Sequence, residues 1–429
     1  MTDTLKPRDS KDVEDAVQSA LADGKTLEIV GGGSKRALGR PAQTDLTLDL
    51  SRLAGVTLYE PEELVLSARA GTPLAEIEAL IAAKGQMLAF EPMDFTPVLG
   101  TGSVAAGRAG AAAGSATIGG VLATNSAGPR RIKTGAARDH FLGFSAVSGR
   151  GETFKSGGRV VKNVTGYDLC KLMAGSFGTL AAMVEVTIKV VPRPETEQTL
   201  VLFGLDDRTA VQVMTAAMGT PCDVSAAAHL PATAARRTLE ASGGGVTALR
   251  LEGVEASIAH RRRLIETILK PFSTVAVLEA HDSRALWRQV RDVTPFASRP
   301  SAAGRTAPDA PADTANEPLL WRISTAPATG AELGAMIAAA SEAELVYDWA
   351  GGLIWAALAP AGDAGAGVIR HAVARWGGHA TLIRAPAAVR AAVDVFEPQD
   401  PVLAAVSKRV KQGFDPNATL NPGRMWAGI

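Results

Sequence analysis

The sequence predicts an α+β protein in two domains, on three observations. At 429 residues the chain exceeds the usual single-domain size, so two cores are expected. Before residue 194, apolar strands run into glycine-rich turns. Beyond residue 195, the hydrophobic pattern spells β-α-β-β-α-β and then spells it again, as an antiparallel sheet covered by helices would.

Taken in order, Val13, Val17 and Leu21 recur every four residues and predict a helix over 11–23. Residues 26–30 form an apolar strand that delivers the turn Gly31-Gly32-Gly33-Ser34-Lys35. A buried strand over 64–70 ends at Gly71, after which Thr72 suits a helix cap and Pro73 its first position. Leu74, Ile77 and Ile81 then face the core, and Gly85 ends the helix. Residues 142–147 and 152–155 flank Gly149-Arg150-Gly151 as a hairpin. Val184, Val186, Ile188 and Val190 alternate with polar residues as a half-buried strand, and Pro192 and Pro194 close the first domain, 1–194.

In the second domain, 195–412, strands are expected at 199–205, 223–229, 247–252 and 274–280, with helices at 208–218 and 255–270. The second copy places strands at 319–325, 344–349, 353–358 and 379–384, with helices at 330–340 and 366–376. Two such units sharing one antiparallel sheet, with helices on one face, make a ferredoxin-like arrangement. Residues 297–317 contain no Val, Ile, Leu, Met or aromatic residue and read as a disordered insert. A helix near 401–412 leads into a tail, 413–429, expected to return to the first domain.

Lys plus Arg equals Asp plus Glu at 44 each, so no basic excess is available to neutralise nucleic-acid phosphates. Cys170 and Cys222 are too few for an iron–sulfur site and suit a reducing compartment. The charged N-terminus lacks the apolar core of a signal peptide, and no run of about 18 apolar residues exists to span a membrane. A cytoplasmic protein is expected, with peripheral membrane association left open.

Three blocks carry chemistry. Successive glycine N–H groups at Gly31, Gly32 and Gly33 form a nest for a pyrophosphate, with Ser34 and Lys35 beside it. It is not a Rossmann fingerprint, because Arg36 stands where the third glycine belongs and Gly39 and Pro41 break the helix. It is not a Walker A loop either, since Lys35 lacks the spacing. The second block, 114–143, offers Gly119 and Gly120 for close approach, Thr117, Asn125 and Ser126 as short polar groups, and Arg130, Arg131, Lys133 and Arg138 as cations near Asp139. Such a segment suits a large anionic cofactor with polar edges. The third, 160–194, contains KNVTGYDL and GSFGTL.

Together, and in this order, the blocks resemble the FAD-binding domain of the vanillyl-alcohol oxidase/PCMH flavoprotein superfamily, in its glycolate oxidase and D-lactate dehydrogenase branch. The closing FDPNATLNPGRM (414–425) resembles that branch's tail, and the W-GG-xxW pattern of 348–358 with LWRQVRD (286–292) resembles the FAD-binding E-type subunits of bacterial glycolate oxidases. The resemblance implies a PCMH-type, two-subdomain FAD-binding domain followed by a ferredoxin-like substrate or cap domain. It implies that Gly31 to Lys35 wrap the pyrophosphate and that Thr117, Gly119 and Gly120 line the cofactor near pyrophosphate and ring. Asn125, Ser126, Gly128, Arg130, Gly135, Arg138 and Asp139 would continue along it, with Gly178 and Val184 approaching through backbone groups.

FAD is expected to be noncovalent, because the glycine turn carries no histidine or cysteine and His140 reads as structural. No metal site is expected. The HxxxGNxH motif of catalytic relatives is missing, and His371 and His379 do not replace it. No catalytic base is therefore assigned. Arg288 and Arg291 are candidates for a carboxylate, although helix arginines are usually solvated, and Trp349 and Trp355 read as core or interface anchors.

The implied activity is oxidation of glycolate or another small 2-hydroxy acid within a complex with a catalytic flavin subunit and an iron–sulfur subunit. Alternatives are a self-sufficient, D-lactate-like FAD-dependent dehydrogenase and a non-catalytic flavoprotein scaffold.

Overall fold

The computed structural model describes residues 3–100, 115–159, 166–239, 244–298 and 317–429. Most of the insert expected at 297–317, the start of KNVTGYDL and Gly114 lie outside the described residues.

Among the described residues the first half of the chain builds two main sheets, beside a two-stranded ribbon of Gln86–Met87 and Val191–Pro192. A parallel one runs Asp3–Leu5, Leu46–Asp49, Leu27–Val30. The helix Ser10–Ala22 begins where the Asp9 carboxylate accepts from the Asp12 N–H, and it buries Val13, Val17 and Ala20 against Leu27 and Leu48. The other sheet is antiparallel, in the order Val56–Glu60, Val65–Arg69, Ala181–Lys189, Phe141–Ser148, Thr153–Gly157. Val147, Ala182 and Val184 join the parallel sheet's core, which welds the two together.

One local expectation fails. Thr72 does not cap the helix Leu74–Ala82; its hydroxyl donates to the Arg69 carbonyl at 2.6 Å and accepts from the Gly55 N–H at 3.0 Å. Pro73 stands not at the first helical position but at the cap itself, with φ −58° and ψ 135°, and the helix starts at Leu74 without a side-chain cap.

Residues 196–384 form one eight-stranded antiparallel sheet in the order Val275–Leu278, Thr196–Phe203, Val246–Gly253, Ala226–Leu230, Glu344–Asp348, Leu353–Leu358, Leu319–Ser324, His379–Arg384. The second half is a β-α-β-β-α-β unit and the first is the same with an extra helix, Ala232–Leu239, between its second and third strands; the halves join second strand to second strand through His229 and Tyr347. Alternation decides the faces. Leu200, Trp321, Tyr347 and Ile354 point to the helices Asp207–Met218, Glu255–Leu269, Gly330–Ser341 and Ala366–Trp376.

The opposite face is covered too. Val201, Ala228, Val346 and Trp355 pack on the helices Ala232–Leu239 and Ala280–Arg291, and on Met93, Phe95, Val98 and Leu99 from the first half of the chain. The sheet is thus a cap seated on the first half. Among the described residues, no helix is long and apolar enough to cross a membrane.

After the helix Pro401–Phe414 the tail crosses back. The Leu27 N–H donates to the Thr419 carbonyl at 2.7 Å, and the Asn421 N–H to the Leu27 carbonyl at 2.9 Å. The buried Lys411 ammonium anchors the crossing, donating to Thr179 O, Asp415 Oδ2 and Leu420 O at 2.6–2.9 Å.

Candidate functional site

The end of strand Leu27–Val30 releases the chain into Gly31–Ser34, which forms one wall of a cleft of about 790 Å³. The opposing wall is Thr117, Gly119 and Gly120 at the start of the helix Ile118–Ala123, followed by Ala123 and Thr124. The two walls touch at their root. A Cβ on Gly31 would strike the Thr117 side chain, and one on Gly32 the Ser115 carbonyl. Glycine is required there by the protein's own backbone as much as by any ligand. Gly33 has φ +81° and Gly178 φ +69°, both in the left-handed region. Ala181 and Met183 form an apolar floor, and the tail contributes Asn421 and Arg424.

Asn421 is the hinge pin of this cleft. Its Oδ1 accepts from the Ile29 N–H at 2.9 Å, and its Nδ2 donates to the Phe177 carbonyl at 2.8 Å. Two cations border the cleft, Arg424 buried and Lys35 half-buried. Burial pushes the Lys35 ammonium down to about 8, with Asp94 only partly opposing. Burial likewise takes Arg424 to about 10, Glu28 at 3.8 Å opposing while Arg390 and Arg36 push further down. Each is a positive charge held where positive charge is unfavourable, which an anion would relieve.

Nine of the residues expected at a cofactor site meet here: Gly31, Gly32, Gly33, Ser34, Lys35, Thr117, Gly119, Gly120 and Gly178. The other eight lie outside its lining. Asn125, at φ +48°, accepts the Arg138 N–H at 3.0 Å, while Asp139 accepts the Ala136 N–H at 2.8 Å beside Gly135. Ser126 is buried behind the helix Ile118–Ala123, its N–H donating to Val121 O. The Val184 carbonyl accepts from the Ala70 N–H at 2.8 Å.

Gly128 and Arg130 face the cap instead. The Gly128 carbonyl accepts the Trp349 indole N–H at 3.0 Å. Arg130 joins Glu91, Arg250 and Glu252 in a buried network of four alternating charges. Burial opposes ionisation of Glu252, but Arg250 and Arg130 outweigh it and hold its carboxyl at about 2.

Sequence reasoning missed the individual roles of Asn421 and Arg424, although NPGRM was visible as a tail motif. The carboxylate candidates Arg288 and Arg291 border a second cavity of about 920 Å³, between the helix Leu74–Ala82 and the cap. Arg291 is paired there with Asp292 at 2.7 Å. Trp349 and Trp355 are buried, in keeping with anchors. His140 is buried, with Nε2 2.9 Å from Thr134 O.

A family model described as an FAD binding domain matches residues 4–115. Over 416 residues the chain is 31% identical to glycolate oxidase subunit GlcE of Escherichia coli (strain K12), covering 96% of each chain. Glycolate oxidase subunit GlcD of Bacillus subtilis (strain 168) is 33% identical over 178 residues, which is 38% of this chain and 36% of that one. In fold, p-cresol methylhydroxylase superposes with a TM-score of 0.68 at 11% identity, over 99% of this chain and 88% of its own.

The cofactor is FAD. The cleft fits it: Gly31–Ser34 present a nest for a dianionic pyrophosphate, and Lys35 and Arg424 are cations whose charge Asp94 and Glu28 offset only in part. At Gly120 an added Cβ would meet only Thr117 Oγ1, at 3.3 Å, so that position is open to the cleft.

Proposed function

We propose a function from one premise: the chain belongs to the FAD-dependent oxidoreductase family of the glycolate oxidase E subunit. Within it, the chain is the FAD-holding subunit of an assembly that oxidises small 2-hydroxy acids, glycolate to glyoxylate, and passes the electrons to partner subunits. One partner is a catalytic flavin subunit and the other carries iron–sulfur clusters. The observation that supports this most is the glycine-lined cleft with its two weakly compensated cations, Lys35 and Arg424.

Bound FAD would serve as a carrier for the electrons taken from the hydroxy acid. The chain's own residues bind and orient. The N–H groups of Gly31 to Ser34 hold the pyrophosphate, with Lys35 and Arg424 balancing its charge. Gly119, Gly120 and Gly178 leave room, and Thr117 fixes the entry of the second wall by accepting the Gly120 N–H at 3.3 Å. Ala181 and Met183 exclude water from the floor. Asn125, Gly135, Arg138 and Asp139 are positioning residues that shape the segment behind the wall, as do Ser126 and Val184. Gly128 and Arg130 dock that segment on the cap.

Among the described residues no histidine or cysteine lines the cleft, which supports noncovalent binding of the flavin. Acid precipitation of the purified chain should leave all yellow colour in the supernatant; flavin retained in the pellet would contradict this. Dye-linked glycolate oxidation should appear on co-expression with the partner subunits. Turnover by the isolated chain at the rate of the complex would make it a self-sufficient dehydrogenase instead.

A further inference from the structure

Two guanidiniums meet over one tryptophan, with Asp139 opposing the effect of burial on Arg131 and Asp348 on Arg322 but neither carboxylate in salt-bridge contact. Arg131 opens the short helix Arg131–Thr134 in the first half of the chain, and Arg322 lies in the cap strand Leu319–Ser324. Their Cζ atoms stand 4.2 Å and 5.0 Å from the centre of the Trp349 ring. Among the described residues neither makes an ion pair. Three other arginines do: Arg130 and Arg250 with Glu91 and Glu252, Arg291 with Asp292.

Burial lowers both members of the pair. Arg131 pushes Arg322 further down than Asp348 lifts it, to about 10. Asp348 cancels the charge only in part, because burial raises its own carboxyl to about 7. Two like charges kept together at a partly desolvated site are unfavourable until an anion joins them.

The ring that gathers them is held rigidly. Trp349 and Ala350 both sit in the left-handed region, at φ +52° and +57°. Asp348 Oδ1 accepts the Trp349 N–H at 2.7 Å, and the indole N–H reaches across to the Gly128 carbonyl. Strained backbone of this kind persists only where its surroundings over-determine it. A shared core links the place to the cofactor cleft: Phe177, which lines the cleft, and Ile132, which follows Arg131, both pack on the apolar cluster that contains Trp349.

We propose that Arg131 and Arg322 form a clamp for the carboxylate of the 2-hydroxy acid, one cation from each half of the chain, with Trp349 as the positioning residue that holds them together. This rests on the oxidoreductase reading above. The clamp gives selection for acids over neutral alcohols, and it makes binding draw the cap and the first half together. Arg288 and Arg291 take no part in it.

The test is titration of the purified flavoprotein with oxalate, a carboxylate that cannot be oxidised by hydride loss, followed by the flavin spectrum and by calorimetry. The neutral oxamide is the control. Oxalate should bind and oxamide should not. Arg131→Met and Arg322→Met should each weaken oxalate roughly 10- to 100-fold, the loss of a charge-assisted pair, with Arg322→Lys falling in between.

Equal binding of oxalate and oxamide by the unaltered protein would overturn the clamp without any variant. So would unchanged oxalate affinity in both Met variants at normal flavin content. A chain that holds no flavin but still binds oxalate through these arginines by calorimetry would sustain the clamp and sink the oxidoreductase reading.

Discussion

Gly119 and Gly120 are adjacent in sequence and both line the cleft, yet the structure predicts opposite consequences of replacing them by alanine. A Cβ on Gly119 would stand 2.8 Å from both the Cβ and the carbonyl oxygen of Ala70. That carbonyl also receives the Gly119 N–H at 2.8 Å, so neither backbone can withdraw without losing the bond. Gly119→Ala should therefore cost the fold about 1–3 kcal/mol by overpacking. In a protein of this size that is a fall in Tm of about 2–4 °C per kcal/mol, with or without flavin.

Gly120 faces only Thr117 Oγ1 at 3.3 Å. Alanine there should leave the flavin-free fold unchanged or up to about 1 kcal/mol more stable, through the helix preference for alanine over glycine. It should nonetheless weaken flavin binding, and Gly120→Val should abolish it. The assay is thermal unfolding of deflavinated protein beside fluorescence titration with FAD. A Gly120→Val variant that retains full flavin, or a Gly119→Ala variant that unfolds like the parent, would refute the reasoning.

Three further outcomes follow from the same contacts. Lys411→Met leaves the buried Asp415 without its cation and should cost about 3–5 kcal/mol; because Asn421 and Arg424 lie on the tail it anchors, flavin content should fall with stability. Lys35→Met should weaken FAD while Lys35→Arg largely retains it, read by equilibrium titration with FAD and with riboflavin, which lacks the pyrophosphate and should not discriminate. The Asp348 carboxyl, raised from 3.8 to about 7 by burial, keeps in the fold a proton that the unfolded chain has already lost. Its contribution is therefore fully present below about pH 4 and lost as pH rises to about 7; Asp348→Asn should flatten that fall in denaturant titrations, and an unchanged slope would argue against it.

The cap was legible almost strand by strand, because each of its elements is fixed by local periodicity. Residues 319–325, 344–349 and 353–358 read as strands from alternation alone, and the observed elements differ by a residue at most at either end. The helix Ala232–Leu239 went unread, since its apolar face is made of alanines and a threonine, which carry little periodic signal. Thr72 was misread as a cap because Thr-Pro before an apolar run is the usual signature. Only the fold brings the Gly55 turn within reach of that hydroxyl.

The cleft divides along the same line. Its glycine turn and the Thr117–Gly120 wall are local motifs, and their residues declare themselves. The cations do not. Arg131 and Arg138 look alike in sequence, each a basic residue in one Gly- and Arg-rich stretch. The chain folds so that Arg131 meets a tryptophan 218 positions away, while Arg138 gives its backbone N–H to Asn125. Arg322 was silent for a related reason: in an alternating strand it occupied the face expected to meet solvent. That face became an interior surface when the cap settled on Met93–Leu99 and the helix Ala280–Arg291. A side chain's chemistry here is set by which surface covers its strand, and that is decided by contacts hundreds of residues apart. The measurement that isolates this step is a double-mutant cycle between Arg131 and Arg322 on oxalate affinity. If the two act as one clamp, the second substitution should cost much less than the first; simple additivity would place the two guanidiniums in separate sites.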